Sequence, residues 1–218
     1  MPWVPIAVTE ENDTLLELFE KDGRFMIRAN GLELMNGYSH DSETAFGLLA
    51  AELARGDHPA ILVGGLGLGY TTAALVGALG PRGRITVAEF SPAVIAWFHA
   101  HVRPSVLPQL PGNLAIIEAE VLGHLWASPR YDLVLLDVDN GPEPLVRADN
   151  AQLYGKEGLR VLRSRVADDG AVLLWSGFES PDFEKRARHA GFSVARRKVS
   201  NGARAALDHH LYVLTADA

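Results

Sequence analysis

Short apolar runs alternate with helix-like segments from residue 60 to the end of the chain. The runs AILVG, YDLVLL and AVLLW are almost wholly apolar and lack the polar alternation of a strand with one face in water. Strands of this kind are buried on both faces, as in a parallel sheet flanked by helices. The pattern therefore predicts an α/β fold, doubly wound around a mostly parallel sheet. The expected helices lie between the runs, at residues 70–79, 92–101, 121–126, 150–167 and 181–190.

The last two runs break this alternation. FSVARRKV at 192–199 is followed by HHLYVLT at 209–215 with no helix between them. Because strands joined without a crossover helix pair antiparallel, we expect an antiparallel edge at the C-terminal end of the sheet. Residues 181–204 hold seven basic and two acidic side chains. A solvated helix face and a protected edge strand explain this excess, with RNA contact as the alternative.

A different pattern occupies the start of the chain. In residues 14–38, runs of period two are separated by the dipeptides Asp22-Gly23 and Asn30-Gly31, which supply the positive φ angles of tight hairpins. We expect a small N-terminal antiparallel β-meander in residues 1–40, with Met35 as core filler.

An α/β domain in residues 41–218 is expected to follow the meander. Its first segment, SETAFGLLAAELARG, predicts a helix that Ser42 caps and Gly56 ends.

Composition narrows the classes of function. The 218 residues carry 20 Lys and Arg against 27 Asp and Glu, a net charge of -7, which argues against a nucleic-acid partner bound through its phosphates. Cysteine is absent, so thiolate metal sites and Cys nucleophiles are excluded, and no histidine pair is spaced to predict a metal site. No apolar run approaches the ~20 residues that cross a bilayer, and the start does not resemble a signal peptide. We expect a cytoplasmic protein without membrane contact.

A glycine-rich turn links the first apolar strand to a helix that begins near Tyr70. Glycines permit a tight turn and close approach of a ligand, and the helix N-terminus offers free N–H groups. Tyr70 stands where the third glycine of the nicotinamide motif GxGxxG would be, and no phosphate-binding Lys-Ser/Thr pair follows. The remaining GxGxG pattern of Gly65, Gly67 and Gly69 resembles the class I S-adenosylmethionine-dependent methyltransferase fold, which is Rossmann-like.

Acidic residues end the next two strands. Glu89 closes RITVAE, where dinucleotide-binding folds place an acid that accepts the ribose hydroxyls, and Phe90 beside it belongs to the same expected nucleotide site. The class I likeness implies that Glu118, Ala119 and Glu120 contact adenine, with either carboxylate accepting from the exocyclic amine. The alternative for this acidic pair is ordinary stabilisation of a helix N-terminus.

The fourth strand leads into the segment Asp137-Val138-Asp139-Asn140-Gly141-Pro142. The run YDLVLLDVDNGP, followed by Gln152-Leu153-Tyr154 and LRVLRSRVADDGAVLLW, resembles the spermidine synthase (aminopropyltransferase) family. Members of that family carry a D-x-x-D-P-x-G-P segment, a Phe-Tyr helix, a strand and an N-terminal β-domain. The likeness covers nearly the whole chain.

The resemblance implies attack by an amine nitrogen on the carbon next to the sulfonium of decarboxylated S-adenosylmethionine. Asp137, which matches the first Asp of the family motif, would accept the proton of the amine, and Asp139 would help to bind the cation. Val138 would adjoin the nucleotide.

The acceptor pocket is assigned from the same resemblance. Asn140 and Tyr154 would line it, with packing of the ring as the alternative for Tyr154. His40 and Glu43 lie in the stretch that closes over the site in the family and would bind the acceptor, although capping of the following helix explains Glu43 equally well. A homodimer is also implied.

Two positions depart from the family pattern. Leu68 takes the place of the acid that would hold the aminopropyl amine, and Asn140 that of the second Asp of D-x-x-D. The sequence therefore leaves two classes of function open. One is a transferase that uses S-adenosylmethionine or its decarboxylated form and moves a methyl or aminopropyl group to a small-molecule acceptor, for which an amine is a candidate. The other is a catalytically silent nucleoside-binding module, against which the retained Asp137 and Asp139 weigh.

Overall fold

The computed structural model describes residues 2–138, 141–142, 150–200 and 208–216. The N-terminal part is a four-stranded antiparallel meander in the order β1-β2-β3-β4. Its strands are β1 (Val4–Glu11), β2 (Thr14–Lys21), β3 (Arg24–Ala29) and β4 (Leu32–Asn36).

Strand β1 was not expected from the sequence. Its apolar side chains Val4, Ile6 and Val8 are exposed, and it contains Pro5, which lacks the N–H of a strand interior and is confined to edges and bulges. The sequence does not predict this strand, because its apolar residues form no buried face and Pro5 interrupts the pattern of β-forming residues.

The second sheet has seven strands in the order β10-β11-β9-β8-β5-β6-β7. Strands β5 to β9 are parallel to one another, and β10 and β11 pair antiparallel at the edge, with β11 also antiparallel to β9. This confirms the α/β class, the mostly parallel sheet and the antiparallel C-terminal edge. The strands are β5 (Ala60–Gly64), β6 (Arg84–Glu89), β7 (Leu114–Glu118), β8 (Tyr131–Leu136), β9 (Val166–Ser176), β10 (Phe192–Ser200) and β11 (Asp208–Ala216).

Helices cover both faces of this sheet. They are α1 (Asp41–Leu53), α2 (Tyr70–Leu79), α3 (Pro92–Trp97), a π-helical turn (Phe98–Val102), α4 (Arg103–Val106), α5 (Val121–Ala127), α6 (Asn150–Tyr154), α7 (Lys156–Arg165) and α8 (Pro181–His189). The expected helix at 150–167 was wrong at its end, because β9 already begins at Val166 and the helical region divides at Gly155.

The start of α1 also differs from the prediction. The residue that precedes the helix is His40, whose side chain makes no capping hydrogen bond. Ser42 is not the cap: it lies inside the first turn, where its hydroxyl donates to the carboxylate of Glu43. The capping interpretation of both residues is thereby corrected, and Glu43 is buried rather than displayed at a solvated helix end.

The meander and the α/β sheet share a hydrophobic core. Leu18 and Ile27 on the inner face of the meander belong to the same buried cluster as Phe46 of α1, Val63 of β5 and Leu68 of the glycine turn. Burial of this shared surface holds the meander against the carboxyl ends of the parallel strands. A second cluster fills the opposite face of the sheet.

The basic C-terminal stretch makes many local ion pairs. Arg196 contacts Glu179 and Glu184, and Lys198 contacts Asp208. These contacts favour the interpretation as a solvated helix face and a charged edge strand. Within the described residues, no helix is both long and apolar enough to cross a membrane.

Candidate active site

A cavity of about 420 Å³ lies where the parallel strands end. The sheet continues from β5 to β6 on one side and from β5 to β8 on the other, which makes the carboxyl end of β5 the topological switch point where open α/β sheets bind ligands. The meander contributes the opposite wall through residues from Glu11 to Met35. A volume of this size is within the range of small-molecule sites, about 300–1,000 Å³.

The glycine turn forms the floor next to β5. Gly65 and Gly67 line the cavity, with φ angles of 92° and 50°. A Cβ on Gly65 would collide with the carbonyl oxygen of Asp137, and one on Gly67 would lie 2.7 Å from the sulfur of Met35. Gly69, with φ of 80°, is packed against the ring of Phe98 and begins α2 without lining the cavity. All three positions therefore need glycine, because each has a positive φ and a close protein neighbour where a Cβ would lie.

Glu89 holds the glycine turn to the end of β6. Its carboxylate accepts from the backbone N–H of Leu66 at 2.9 Å and from that of Ser91 at 2.9 Å, and it lines the cavity with Phe90. A carboxylate oxygen has more than one lone pair, so Glu89 can accept further hydrogen bonds in addition to these two. The position is the one that the sequence predicts for a ribose contact.

The end of β7 places its three predicted residues differently. Ala119 and Glu120 line the cavity, and Glu120 also caps α5 by accepting from the N–H groups of Leu122 and Gly123. Glu118 is exposed and is not among the cavity-lining residues. Strand β7 ends at Glu118, and here the cavity is lined by residues that follow the strand.

Asp137 follows β8 and lies at the centre of a polar cluster. Its Oδ2 accepts a 2.6 Å hydrogen bond from the hydroxyl of Thr71, and the same hydroxyl is 3.3 Å from the backbone oxygen of Glu43. Asp137, Glu43 and Val138 line the cavity. Three helix and strand ends, those of α1, α2 and β8, thus converge on one carboxylate.

Burial changes the acidity of both carboxyls. It raises the pKa of Asp137 to about 7, against the lowering effect of the Thr71 hydrogen bond and with a further increase from the charge of Glu43. Burial also raises the pKa of Glu43, while the hydrogen bond from Ser42 lowers it. A carboxylate with a pKa near neutrality can take up a proton from a bound nucleophile and release it to water.

Two other predicted substrate contacts lie outside the cavity lining. The rings of His40 and Tyr70 stack with their centroids 3.8 Å apart, and Nδ1 of His40 lies 3.3 Å from the hydroxyl of Thr44. Tyr154 is buried, packs edge-on against Phe183 and donates to the backbone oxygen of Val138. Its position matches the packing alternative. The remaining calls, Asp139 and Asn140, fall outside the described residues.

The sequence did not single out the contributions of the meander to this site. Glu11 accepts from the hydroxyl of Ser91 and from the N–H of Ala93, and Met35, expected as core filler, accepts from the N–H of Leu68 through its sulfur at 2.9 Å. No local motif marks either contact, because each joins residues that are far apart in the chain. Thr71 could have been found, since it lies in the first turn of the helix that follows the glycines.

Solved structures of other proteins share this architecture. The spermidine synthase from Thermotoga maritima matches with a TM-score of 0.73 at 11% identity, over 96% of this chain and 71% of that chain. A spermidine synthase in complex with the transition state analogue AdoDATO matches with a TM-score of 0.67 at 11% identity, over 98% and 72%. Human methyltransferase-like protein 13 in complex with SAH matches with a TM-score of 0.58 at 17% identity, over 80% and 79%.

At these identities the comparisons show the fold: the chain has the class I methyltransferase-like architecture that spermidine synthases share, meander included. No protein-family model and no curated protein sequence matches the chain.

Proposed function

We propose that this protein is a transferase that binds an adenosyl sulfonium co-substrate and passes one of its carbon groups to a small-molecule acceptor. The observation that carries the proposal is the meeting of the glycine turn, Glu89 and Asp137 in one cavity at the switch point of the sheet. Asp137 there has a pKa of about 7, which suits a proton acceptor at neutral pH.

The co-substrate in this proposal is S-adenosylmethionine or its decarboxylated form. Glu89 would accept from the ribose hydroxyls, and Phe90, Ala119 and Glu120 would surround the adenine. Support comes from the similar structures, of which one holds AdoDATO and another SAH. Glu118 is left out of this binding site because its side chain lies outside the cavity lining.

In the reaction, an acceptor atom attacks the carbon bonded to the sulfonium. The lone pair of the acceptor forms the new bond while the carbon–sulfur bond breaks, and its electron pair returns to sulfur to leave a neutral thioether. Asp137 takes the proton that the acceptor loses. The cavity contributes alignment of the two reactants, which can supply several kcal/mol of the rate enhancement.

Methyl transfer from intact S-adenosylmethionine is the second candidate within this class. The side chain of Leu68 is fully buried and does not line the cavity, so this position offers no charge to the aminopropyl amine of the decarboxylated form. A methyl donor needs no such charge. Product analysis separates the two, since methyl transfer leaves S-adenosylhomocysteine and aminopropyl transfer leaves methylthioadenosine.

Calorimetric titration with S-adenosylhomocysteine and with methylthioadenosine tests the proposal. We expect at least one of them to bind, and Glu89→Gln to weaken that binding by about tenfold, since a hydrogen bond to a charged group is worth about 1.5 kcal/mol or more. Glu118→Gln is the matched control, because Glu118 is paired in register with Glu89 on the neighbouring strand but lies outside the cavity lining. Absence of binding by both nucleosides would reject the proposal. Binding without turnover of any acceptor would instead identify a silent nucleoside-binding module.

A homodimer is proposed from the open side of the meander. Strand β1 is one of the two outer strands of that sheet and exposes Val4, Ile6 and Val8. Exposed apolar side chains on an edge strand favour pairing with a second copy. Light scattering on Val8→Lys and the parent protein tests this, with a monomeric parent as the contradicting result.

A further inference from the structure

We propose that the acceptor is an apolar small molecule that carries a single amino head group, in contrast to a polyamine with charges at both ends. This inference rests on the proposed function, because it concerns the part of the same cavity that the adenosyl group would leave free. Two features of the cavity support it: the positions of its acidic side chains, and the apolar residues that line the rest of its wall.

Three acids of the cavity are engaged on the side of β6 and β7. Glu89 and Glu120 each accept from two backbone N–H groups. Glu11 accepts from the hydroxyl of Ser91 and from the N–H of Ala93, at the beginning of α3. These contacts fix the three carboxylates around the strand ends that would hold the nucleoside.

The other two acids that line the cavity among the described residues form one cluster. Thr71 contacts both: its hydroxyl donates to the side chain of Asp137 and lies 3.3 Å from the backbone oxygen of Glu43. The two carboxyls also interact through their charges. Burial raises the pKa of both carboxyls, so the two together carry less than two full negative charges near neutral pH, and the cluster matches one ammonium group.

The wall next to this cluster is apolar. Leu34 and Met35 reach the cavity from β4, Ile27 from β3, Trp175 from the end of β9 and Leu153 from α6. Strand β4 forms the edge of the meander opposite to β1, whose end is held at α3 by Glu11. Trp175 and Leu153 thus lie on the β8 and β9 side of the cavity, the side of Asp137, and β4 lies on the side of the meander away from the attachment of β1.

This arrangement discriminates between classes of amine. An apolar body gains by leaving water against such a wall. A second ammonium group would find no carboxylate among the described residues of this wall, and burial of a charge without a partner is strongly unfavourable. A compact aryl or alkyl monoamine fits both the charge and the lining. A diamine such as 1,4-diaminobutane fits only at one end.

The experiment uses the full chain and two probes. Methylthioadenosine is titrated first, and 2-phenylethylamine and 1,4-diaminobutane are then titrated into the nucleoside-saturated protein. We expect 2-phenylethylamine to bind at least about tenfold more tightly, because the diamine must desolvate a second charge. Equal or tighter binding of 1,4-diaminobutane would overturn the inference and leave the proposed function standing. Absence of binding by methylthioadenosine would overturn the proposed function and the inference together.

Two variants of β4 localise the effect. Leu34→Glu places a carboxylate in the apolar wall and should reduce or reverse the preference for 2-phenylethylamine. Leu32→Glu is the matched control, since Leu32 lies on the same strand, is exposed and does not line the cavity; it should leave the preference unchanged. Methylthioadenosine affinity reports whether each variant is folded. Equal preferences in the two variants would contradict the assignment of this wall to the acceptor.

Glu43→Gln tests the head-group cluster independently of the wall. It removes one carboxyl next to Asp137 with little change of volume, and we expect weaker binding of both amines with methylthioadenosine affinity retained. Unchanged amine affinity would overturn the placement of the amino group.

Discussion

The hydroxyl of Thr71 donates a 2.6 Å hydrogen bond to Oδ2 of Asp137, 66 positions further along the chain. Thr71 is buried in the first turn of α2, and Asp137 directly follows β8. The contact joins the helix that follows the glycine turn to the strand on the other side of the switch point. It favours the ionised carboxylate, while burial favours the neutral acid and raises the pKa of Asp137 to about 7.

Replacing Thr71 by valine should raise the pKa of Asp137 further. The substitution removes the hydrogen bond that lowers this pKa and leaves the burial unchanged. A hydrogen bond to a charged group is worth about 1.5 kcal/mol, so the expected shift is about one unit. A ¹³C NMR titration of the Asp137 carboxyl measures the shift without an acceptor. Because a proton acceptor must be ionised, the pH profile of kcat/KM should move to higher pH by the same amount.

Thr72→Val is the control for this substitution. Thr72 is also buried, and its hydroxyl has no hydrogen-bond partner among the described residues. The change to valine should leave the pKa of Asp137 in place and should not destabilise the protein, since a buried hydroxyl without a partner is unfavourable. Equal shifts in the two variants would show that helix position, not the Thr71 hydroxyl, sets the acidity.

Glu43→Gln should shift the pKa of Asp137 in the opposite direction. The charge of Glu43 raises that pKa, so its removal makes ionisation of Asp137 easier and extends the active range to lower pH. The same NMR titration measures this change. An upward shift would mean that Glu43 stabilises the Asp137 carboxylate, for example through a shared proton, and would contradict a repulsion between the two charges.

Gly65→Ala should be strongly destabilising, in contrast to Gly77→Ala. At Gly65 a Cβ would meet the carbonyl oxygen of Asp137 at a positive φ of 92°, whereas at Gly77, inside α2, it meets nothing within 4 Å. Alanine within a helix is favoured over glycine by about 0.5–1 kcal/mol. Urea denaturation should therefore show a loss for the first variant and a gain of about this size for the second. A stable Gly65→Ala variant would indicate that the turn can move away from β8.

The features of this molecule that could be predicted are those encoded by residues close together in the sequence. The α/β sheet and its antiparallel edge were predicted because each buried strand is an uninterrupted apolar run. Gly65 and Glu89 were found because a strand–turn–helix passage and an acid at the next strand end have fixed positions in such sheets. Strand β1 was missed since its apolar residues face outward.

The acceptor side of the cavity was less predictable, because its residues come together only through the tertiary fold. Leu34 and Met35 read as ordinary meander residues, and their place in the cavity follows from how the meander packs on the glycine turn. For Tyr154 the family resemblance implied a pocket contact, with packing of the ring as the alternative, and the ring is buried against Phe183. Matching a motif position does not fix the direction of a side chain.

Glu11→Ala should both destabilise the protein and weaken nucleoside binding. Glu11 is the last residue of β1, and its carboxylate makes the contacts with Ser91 and Ala93 that attach the meander to the start of α3. Loss of the carboxylate leaves the Ala93 N–H and the Ser91 hydroxyl without this partner, at a cost of about 1–3 kcal/mol in the free energy of unfolding.

Release of this attachment should also lower methylthioadenosine affinity, because Asn12 of the turn after β1 and Thr14 at the start of β2 line the cavity. The neighbouring Glu10 is exposed, so Glu10→Ala should leave both quantities unchanged. Urea denaturation and calorimetry on the two variants measure them, and indistinguishable results would show that the shared hydrophobic core alone holds the meander over the site.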